Sequence, residues 1–222
     1  MSNSKALILG ILLLVPLLIF IFIGSFGEHH YTLRKYFPQV TATGDVVRDA
    51  QGDTLFKQVP VFEFTSQQGQ AISQNELDGN IYVADFFFAT CPDICKEMSS
   101  QMVRVQEAFH DEEQVKLVSF SVNPEHDTPE VLREYGERYN ADPAKWYFLT
   151  GDRDKIYNLA QKGFYLPVMK VEGQQDFIHS EKFMLVDKDR YVRGIYDGTD
   201  KEDVDRLILE IKVLLDEYSK SK

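Results

Sequence analysis

The chain has 222 residues and a formal net charge of −11, with 35 acidic against 24 basic side chains. This length suits one membrane anchor plus one domain of ordinary size, and the acidic balance argues against a nucleic-acid-binding protein, which needs clustered Lys and Arg to neutralise phosphates. The chain has only 2 cysteines, which does not suit a disulfide-stapled framework and instead suggests metal binding, redox chemistry or both.

The first predicted element is a membrane-spanning helix. Residues 6–24 form an uncharged run of 19 apolar or small residues, close to the roughly 20 that a helix needs to span a bilayer. A cleaved signal peptide would have a shorter apolar run, and residues 24–28 match its cleavage site poorly. We therefore predict an uncleaved anchor over residues 1–27. Lys5 before the run and two basic residues after it leave the positive-inside count nearly tied, so charge does not decide the orientation.

The rest of the chain is predicted to be a stalk or linker over residues 28–59, with a short hairpin at 43–45, followed by an α/β domain over residues 60–222. Strands and helices alternate, and a hairpin and a closing helix follow, which is the thioredoxin-like order. Such sheets place their chemistry beyond the carboxyl ends of the strands. The predicted strands are 62–65, 81–88, 116–122, 146–149, 183–186 and 191–196. The predicted helices are one starting near Pro92 with its apolar stripe over 98–109, then 129–139 and 154–161, and a last one capped by Asp200 with its apolar face over 204–215.

The two cysteines directly follow the strand predicted at 81–88, in the segment Thr90-Cys91-Pro-Asp-Ile-Cys95. A helix starting near Pro92 would favour thiolates and place both sulfurs on one face of its first turn, where they could hold one ion or form a disulfide. Thiolates select Cu(I), zinc or iron–sulfur clusters. Structural zinc and four-iron clusters normally need four ligands from Cys or His, so two cysteines with one imidazole fit a low-coordinate copper site better. Two inert core cysteines are the less favoured alternative.

Five histidines could supply the imidazole. We predict that His29, His30 and His110 lie on the surface. His126 lies in a predicted turn, where the role of an auxiliary ligand is the less favoured alternative. His179 follows a glycine-containing loop and enters the strand expected beside the cysteine loop. A lone histidine is more often structural than a ligand, so position alone leaves the role of His179 open.

Three segments together resemble the Sco/SenC family. They are Phe86-Phe-Phe-Ala-Thr-Cys91-Pro-Asp-Ile-Cys95, Ser121-Val-Asn-Pro-Glu-His-Asp127-Thr-Pro, and Ile178-His179 before a hydrophobic strand. The resemblance covers roughly residues 60–217 and the N-terminal anchor. It implies a thioredoxin-like domain whose metal ligands are Cys91, Cys95 and His179. The sequence departs from the family pattern at Lys96, Asn123, His126 and Ser180, but none of these changes removes a ligand.

The resemblance implies a copper-binding protein, using Cu(I) or Cu(II), that assists assembly of the binuclear copper centre of cytochrome c oxidase. Its expected partners are the copper-accepting oxidase subunit and a thioredoxin-like reductant. Its expected location is the bacterial cytoplasmic membrane, as a single-pass protein with the domain on the periplasmic side. The alternative is a thiol–disulfide oxidoreductase in which the more exposed Cys91 attacks and Cys95 resolves. A metallochaperone is favoured over an enzyme.

Overall fold

The computed structural model describes residues 3–26, 32–169, 177–178 and 180–220. It contains two compact units, Met1–Thr32 and Leu33–Lys222. The first unit contains the helix α1 (Asn3–Phe26), which includes Pro16. Its apolar side chains are exposed, including those of Leu13 and Phe20. Within the described residues, no helix has the combined length and apolar character that crossing a membrane requires.

The second unit is built on a mixed sheet whose described strands follow the order β2-β1-β5-β4-β3-β8-β9. Strands β3, β4 and β5 are parallel, whereas β1, β8 and β9 pair antiparallel to their neighbours. The strands are β1 (Glu63–Ser66), β2 (Ala71–Ser73), β3 (Ile81–Phe87), β4 (Val115–Ser121), β5 (Trp146–Thr150), β6 (Val168–Met169), β7 (Phe177–Ile178), β8 (Lys182–Val186) and β9 (Val192–Asp197). The helices are α2 (Ile94–Ala108), α3 (Pro129–Arg138), α4 (Arg153–Asn158) and α5 (Lys201–Lys220). The predicted alternation of strands and helices, closed by a hairpin and a helix, is confirmed.

Helices cover both faces of this sheet. Alternate side chains of β3 therefore pack into two different cores, one on each face. Val83 and Phe87 belong to the core formed with α2, α3 and α5, whereas Tyr82 and Phe86 belong to the core formed with α4. Successive side chains of a strand point to opposite faces, so a strand covered on both sides is apolar almost throughout. Every residue of β3 is buried, as its nearly continuous apolar run predicts.

Local capping signals explain most helix boundaries. Thr128 Oγ1 accepts the N–H of Val131 at 3.4 Å, and Pro129 occupies the first position of α3, as predicted. Helix α2 begins at Ile94, two residues later than the predicted start near Pro92. The helix predicted at 154–161 ends as α4 at Asn158 and continues as a wider π-helical turn.

Residues 33–59, predicted as a stalk or linker, lie within the second compact unit. The predicted hairpin is present, because Val40 and Val46 form an antiparallel bridge. A buried side chain ties the start of this segment to the sheet: Arg193 Nε donates to the carbonyl oxygen of Leu33 at 3.2 Å. The folded unit therefore begins well before residue 60.

Candidate metal centre

Cys91 and Cys95 lie beyond the carboxyl end of β3, at the predicted edge of the sheet. The N–H of Cys91 donates to the carbonyl oxygen of Phe88 at 3.2 Å, which closes a tight turn after the strand. The Sγ atom of Cys91 accepts the N–H of Cys95, in the first turn of α2, at 3.4 Å. Both cysteines thus lie at the same helix terminus, and both are free thiols.

The two thiols are buried to a similar extent. Cys91 is 8% exposed and Cys95 is 6% exposed, so the expectation that Cys91 is clearly the more accessible thiol is not met. Burial raises the pKa of Cys95 far above its usual range; a backbone hydrogen bond at Phe88 opposes this rise, and the contact with the Cys91 side chain adds to it. A thiol held protonated in this way is a poor attacking nucleophile. Cys95 must therefore lose its proton before it can attack a disulfide or bind a metal ion as a thiolate.

Helix α3 holds the first turn of α2 in place through Tyr135. The hydroxyl of Tyr135 donates to the carbonyl oxygen of Cys95 at 3.3 Å and lies 2.8 Å from Ser99 Oγ. Its ring packs against those of Phe87 and Phe148, with centroids 5.0 and 5.7 Å apart. The backbone that carries Cys95 is thus fixed by a buried hydrogen bond as well as by helix geometry.

A second buried side chain, Asp127, holds the loop before Cys91. Asp127 Oδ2 accepts the N–H of Ala89 at 3.0 Å and the hydroxyl of Ser121 at 2.6 Å. The other oxygen, Oδ1, lies 2.8 Å from His126 Nδ1. Sequence reasoning singled out Asn123 and His126 in this turn but gave Asp127 no role. The sequence feature that could have indicated a role for Asp127 is its position as an acidic residue immediately before Thr128, the N-cap of α3.

Asp85 is a buried carboxyl group within the apolar strand β3. It accepts a hydrogen bond of 2.5 Å from Ser119 Oγ, which itself accepts the indole N–H of Trp146 at 2.9 Å. Burial raises the pKa of Asp85 to about 7, and the hydrogen bond from Ser119 opposes that rise. The sequence analysis treated Asp85 only as part of the strand. A single acidic residue within an apolar run was the feature that could have indicated its special role.

This raised pKa predicts how the stability of the metal-free protein depends on pH. The folded state keeps a proton on Asp85 up to about pH 7, whereas the ordinary carboxyl pKa of 3.8 applies when the chain is unfolded. The folded state therefore binds more protons between these values, and its free energy of unfolding should fall as pH rises through this window, by a few kcal/mol at most, on the order of 1.4 kcal/mol per pKa unit. Urea unfolding at pH 5 and pH 7.5 should show a smaller difference for Asp85→Asn than for the wild type, because the amide does not titrate. Equal differences in both proteins would contradict the assignment.

The remaining predicted ligand, His179, lies outside the described residues, as do His29 and His30. His110 is exposed, as predicted, with its Nδ1 atom 2.8 Å from Asp111 Oδ1. In the described part of the chain, no three or more His, Cys, Asp or Glu side chains form a group that could hold a metal ion. The structure thus brings together the two predicted thiol ligands. Their soft sulfur atoms suit Cu(I).

Known proteins match this fold and this arrangement of motifs. The family model SCO1/SenC matches residues 50–216. The SCO1 protein homolog of Bacillus subtilis is 35% identical over 162 residues, covering 72% of this chain and 84% of the relative.

Solved structures share the fold. BsSco, a member of the Sco family of cytochrome c oxidase assembly proteins in which a disulfide switch was identified, is 34% identical, with a TM-score of 0.62 over 71% of this chain and 92% of its own. Copper-bound ScoI of Bradyrhizobium japonicum is 24% identical, with a TM-score of 0.59 over 71% of this chain and 99% of its own, and supports the fold alone. The predicted thioredoxin-like α/β fold is confirmed.

Proposed function

The chain belongs to the SCO1/SenC family, and on that premise we propose that it binds copper and assists assembly of the binuclear copper centre of cytochrome c oxidase. The observation that carries this proposal is the pair of thiols at the carboxyl edge of the sheet, joined by the 3.4 Å contact between the Cys95 N–H and Cys91 Sγ. Two adjacent soft ligands suit a monovalent copper ion.

The proposed ligands are Cys91, Cys95 and His179, and copper is cargo. Binding replaces the thiol protons by the metal, so the raised pKa of Cys95 makes copper uptake a proton-releasing step. Two thiolates alone can hold Cu(I), whereas the imidazole of His179 makes Cu(II) accessible as well. Transfer to the oxidase subunit then proceeds by ligand exchange, in which the acceptor's thiolates replace those of this protein.

The second candidate function is thiol–disulfide exchange on extracytoplasmic proteins, and the contact between Cys91 and Cys95 supports it, because two adjacent thiols can form a disulfide. Cys91 would attack a disulfide of the target and form a mixed disulfide, with one target sulfur leaving as a thiolate. Cys95 would then displace the second target sulfur and lose its proton. The target gains two electrons and the Cys91–Cys95 disulfide forms, which a thioredoxin-like reductant would reduce again. The disulfide switch identified in the relative BsSco supports this chemistry.

Replacing His179 by Ala separates the two functions, because the imidazole is a copper ligand but is not needed for one sulfur to attack another. In cells that lack the native protein, His179→Ala should fail to restore cytochrome oxidase activity while the purified variant keeps substantial disulfide-exchange activity. Equal expression and an unchanged melting temperature of the metal-free variant are the controls. Restored oxidase activity without added copper would reject the metallochaperone function and favour the redox function.

We also propose that the apolar run at residues 6–24 attaches the protein to the bacterial cytoplasmic membrane, with residue 222 on the periplasmic side. The exposed apolar side chains described in α1 support attachment to a membrane, and the periplasmic side is what the resemblance to the Sco/SenC family implies. A reporter enzyme that is active only outside the cytoplasm should be active when fused after residue 222. Activity of only a cytoplasmic reporter at the same position would refute this orientation.

A further inference from the structure

A buried carboxylate orients the imidazole of His126 beside the cysteine loop. The side chain of Asp127 is completely buried, whereas that of His126 is 50% exposed. Their contact of 2.8 Å joins Asp127 Oδ1 to His126 Nδ1. When a carboxylate accepts the Nδ1 proton, the imidazole is held as the tautomer whose Nε2 lone pair is free. A half-exposed imidazole in this state can bind a metal ion.

The same carboxylate connects His126 to the copper-binding thiols. Asp127 Oδ2 accepts the N–H of Ala89, and Ala89 lies within the tight turn that the Cys91 N–H closes on the carbonyl oxygen of Phe88. One carboxylate thus bridges the imidazole and the turn that carries the first thiol.

The backbone around His126 is also restrained. The N–H groups of His126 and Asp127 both donate to the carbonyl oxygen of Asn123, at 3.1 and 2.9 Å. Both functional side chains therefore project from one rigid turn at the carboxyl edge of the sheet.

We propose that His126 is an entry ligand, which receives copper through Nε2 and passes it to Cys91 and Cys95. This inference rests on the proposed copper-binding function. The two thiols are buried, whereas the imidazole is accessible to an arriving ion.

The transfer step is a ligand exchange without a change of oxidation state. Copper arrives as a hydrated or weakly chelated ion, and His126 Nε2 replaces one of its water or chelator ligands. The Cu–N bond then breaks as Cu–S bonds form, and the displaced thiol protons pass to water. His126 is then released from the metal, with Nδ1 still in contact with Asp127 Oδ1.

The test compares two histidines that share the same local arrangement. His110 also places Nδ1 2.8 Å from the carboxylate of the next residue, but Asp111 is fully exposed and lies in a surface turn away from the cysteine loop. Metal-free, reduced protein is mixed rapidly with Cu(II), and the sulfur-to-copper charge-transfer absorbance is followed. His126→Gln should slow the appearance of this band by about tenfold or more, with the same final amplitude, whereas His110→Gln should leave the rate unchanged.

Rapidly frozen samples of the same mixtures identify the intermediate by electron paramagnetic resonance. Before the charge-transfer band appears, the wild type and His110→Gln should show Cu(II) coupled to an imidazole nitrogen, and His126→Gln should not. A wild-type rate in His126→Gln, or equal slowing in both variants, would overturn the entry role. The melting temperature and thiol reactivity of the metal-free variants show whether the cysteine loop is intact. If His126→Gln disturbs this loop, the slower copper binding has a structural cause, and the proposal is rejected in this case too. If the wild type itself develops no copper band, the proposed function fails instead.

Discussion

Replacing either cysteine by serine is expected to abolish tight copper binding. Cys91 and Cys95 are the two proposed soft ligands that the structure brings together, and a serine hydroxyl is a hard, neutral ligand with little affinity for Cu(I). The remaining thiol cannot hold the ion in two-coordinate geometry. Titration of the reduced protein with Cu(I) in the presence of a competing chelator should show one bound ion for the wild type and none for Cys91→Ser or Cys95→Ser.

Met98 supplies the matched control for this experiment. It lies one turn after Cys95 in α2 and carries the next sulfur along the helix, but its side chain is buried in the core. Met98→Leu removes this sulfur while nearly preserving the volume of the side chain, so copper binding should persist and stability should change by less than about 1.5 kcal/mol. Loss of copper in Met98→Leu would make the thioether a ligand, and retained tight binding in Cys91→Ser would reject the two-thiolate site.

Replacing Arg193 by leucine is expected to cost the folded state about 3–5 kcal/mol, because the change leaves a buried carboxylate without its partner. The Arg193 side chain is 4% exposed and lies 2.9 Å from both Asp187 and Glu217. Burial already raises the pKa of Asp187, and the hydrogen bond and charge of Arg193 oppose that rise. Leucine would also leave the carbonyl oxygen of Leu33 without the guanidinium that now binds it. Urea unfolding of the metal-free protein measures the loss.

Arg206 is the matched control, since it also pairs with two acidic side chains. Its guanidinium lies 2.6 Å from Asp203 and 3.2 Å from Glu210 along α5, but the side chain is 42% exposed. Solvent screens such pairs, so Arg206→Leu should change the free energy of unfolding by less than about 1 kcal/mol. Equal losses for the two variants would mean that burial does not govern the contribution of Arg193.

The sequence by itself determined the features that depend on short-range patterns. The apolar run of β3, the Thr128-Pro129 start of α3 and the hairpin of β8 and β9 all follow from the periodicity and capping preferences of neighbouring residues. The cysteine pair was found in the same way, because four residues of spacing at a helix start bring two side chains to one face. These signals lie within a few residues of the structure that they predict.

Only the tertiary structure decided the features that depend on residues distant in the chain. Arg193 binds Leu33 across 160 positions, and for this reason residues 33–59 belong to the folded unit although their local pattern indicated a linker. Asp127 reaches the loop before Cys91 across 38 positions. The raised pKa values of Asp85 and Cys95 have the same origin, since burial is produced by the packing of separate elements around a group. Periodicity shows which side chains turn inward, but the energy of a buried charge depends on which distant partner meets it there.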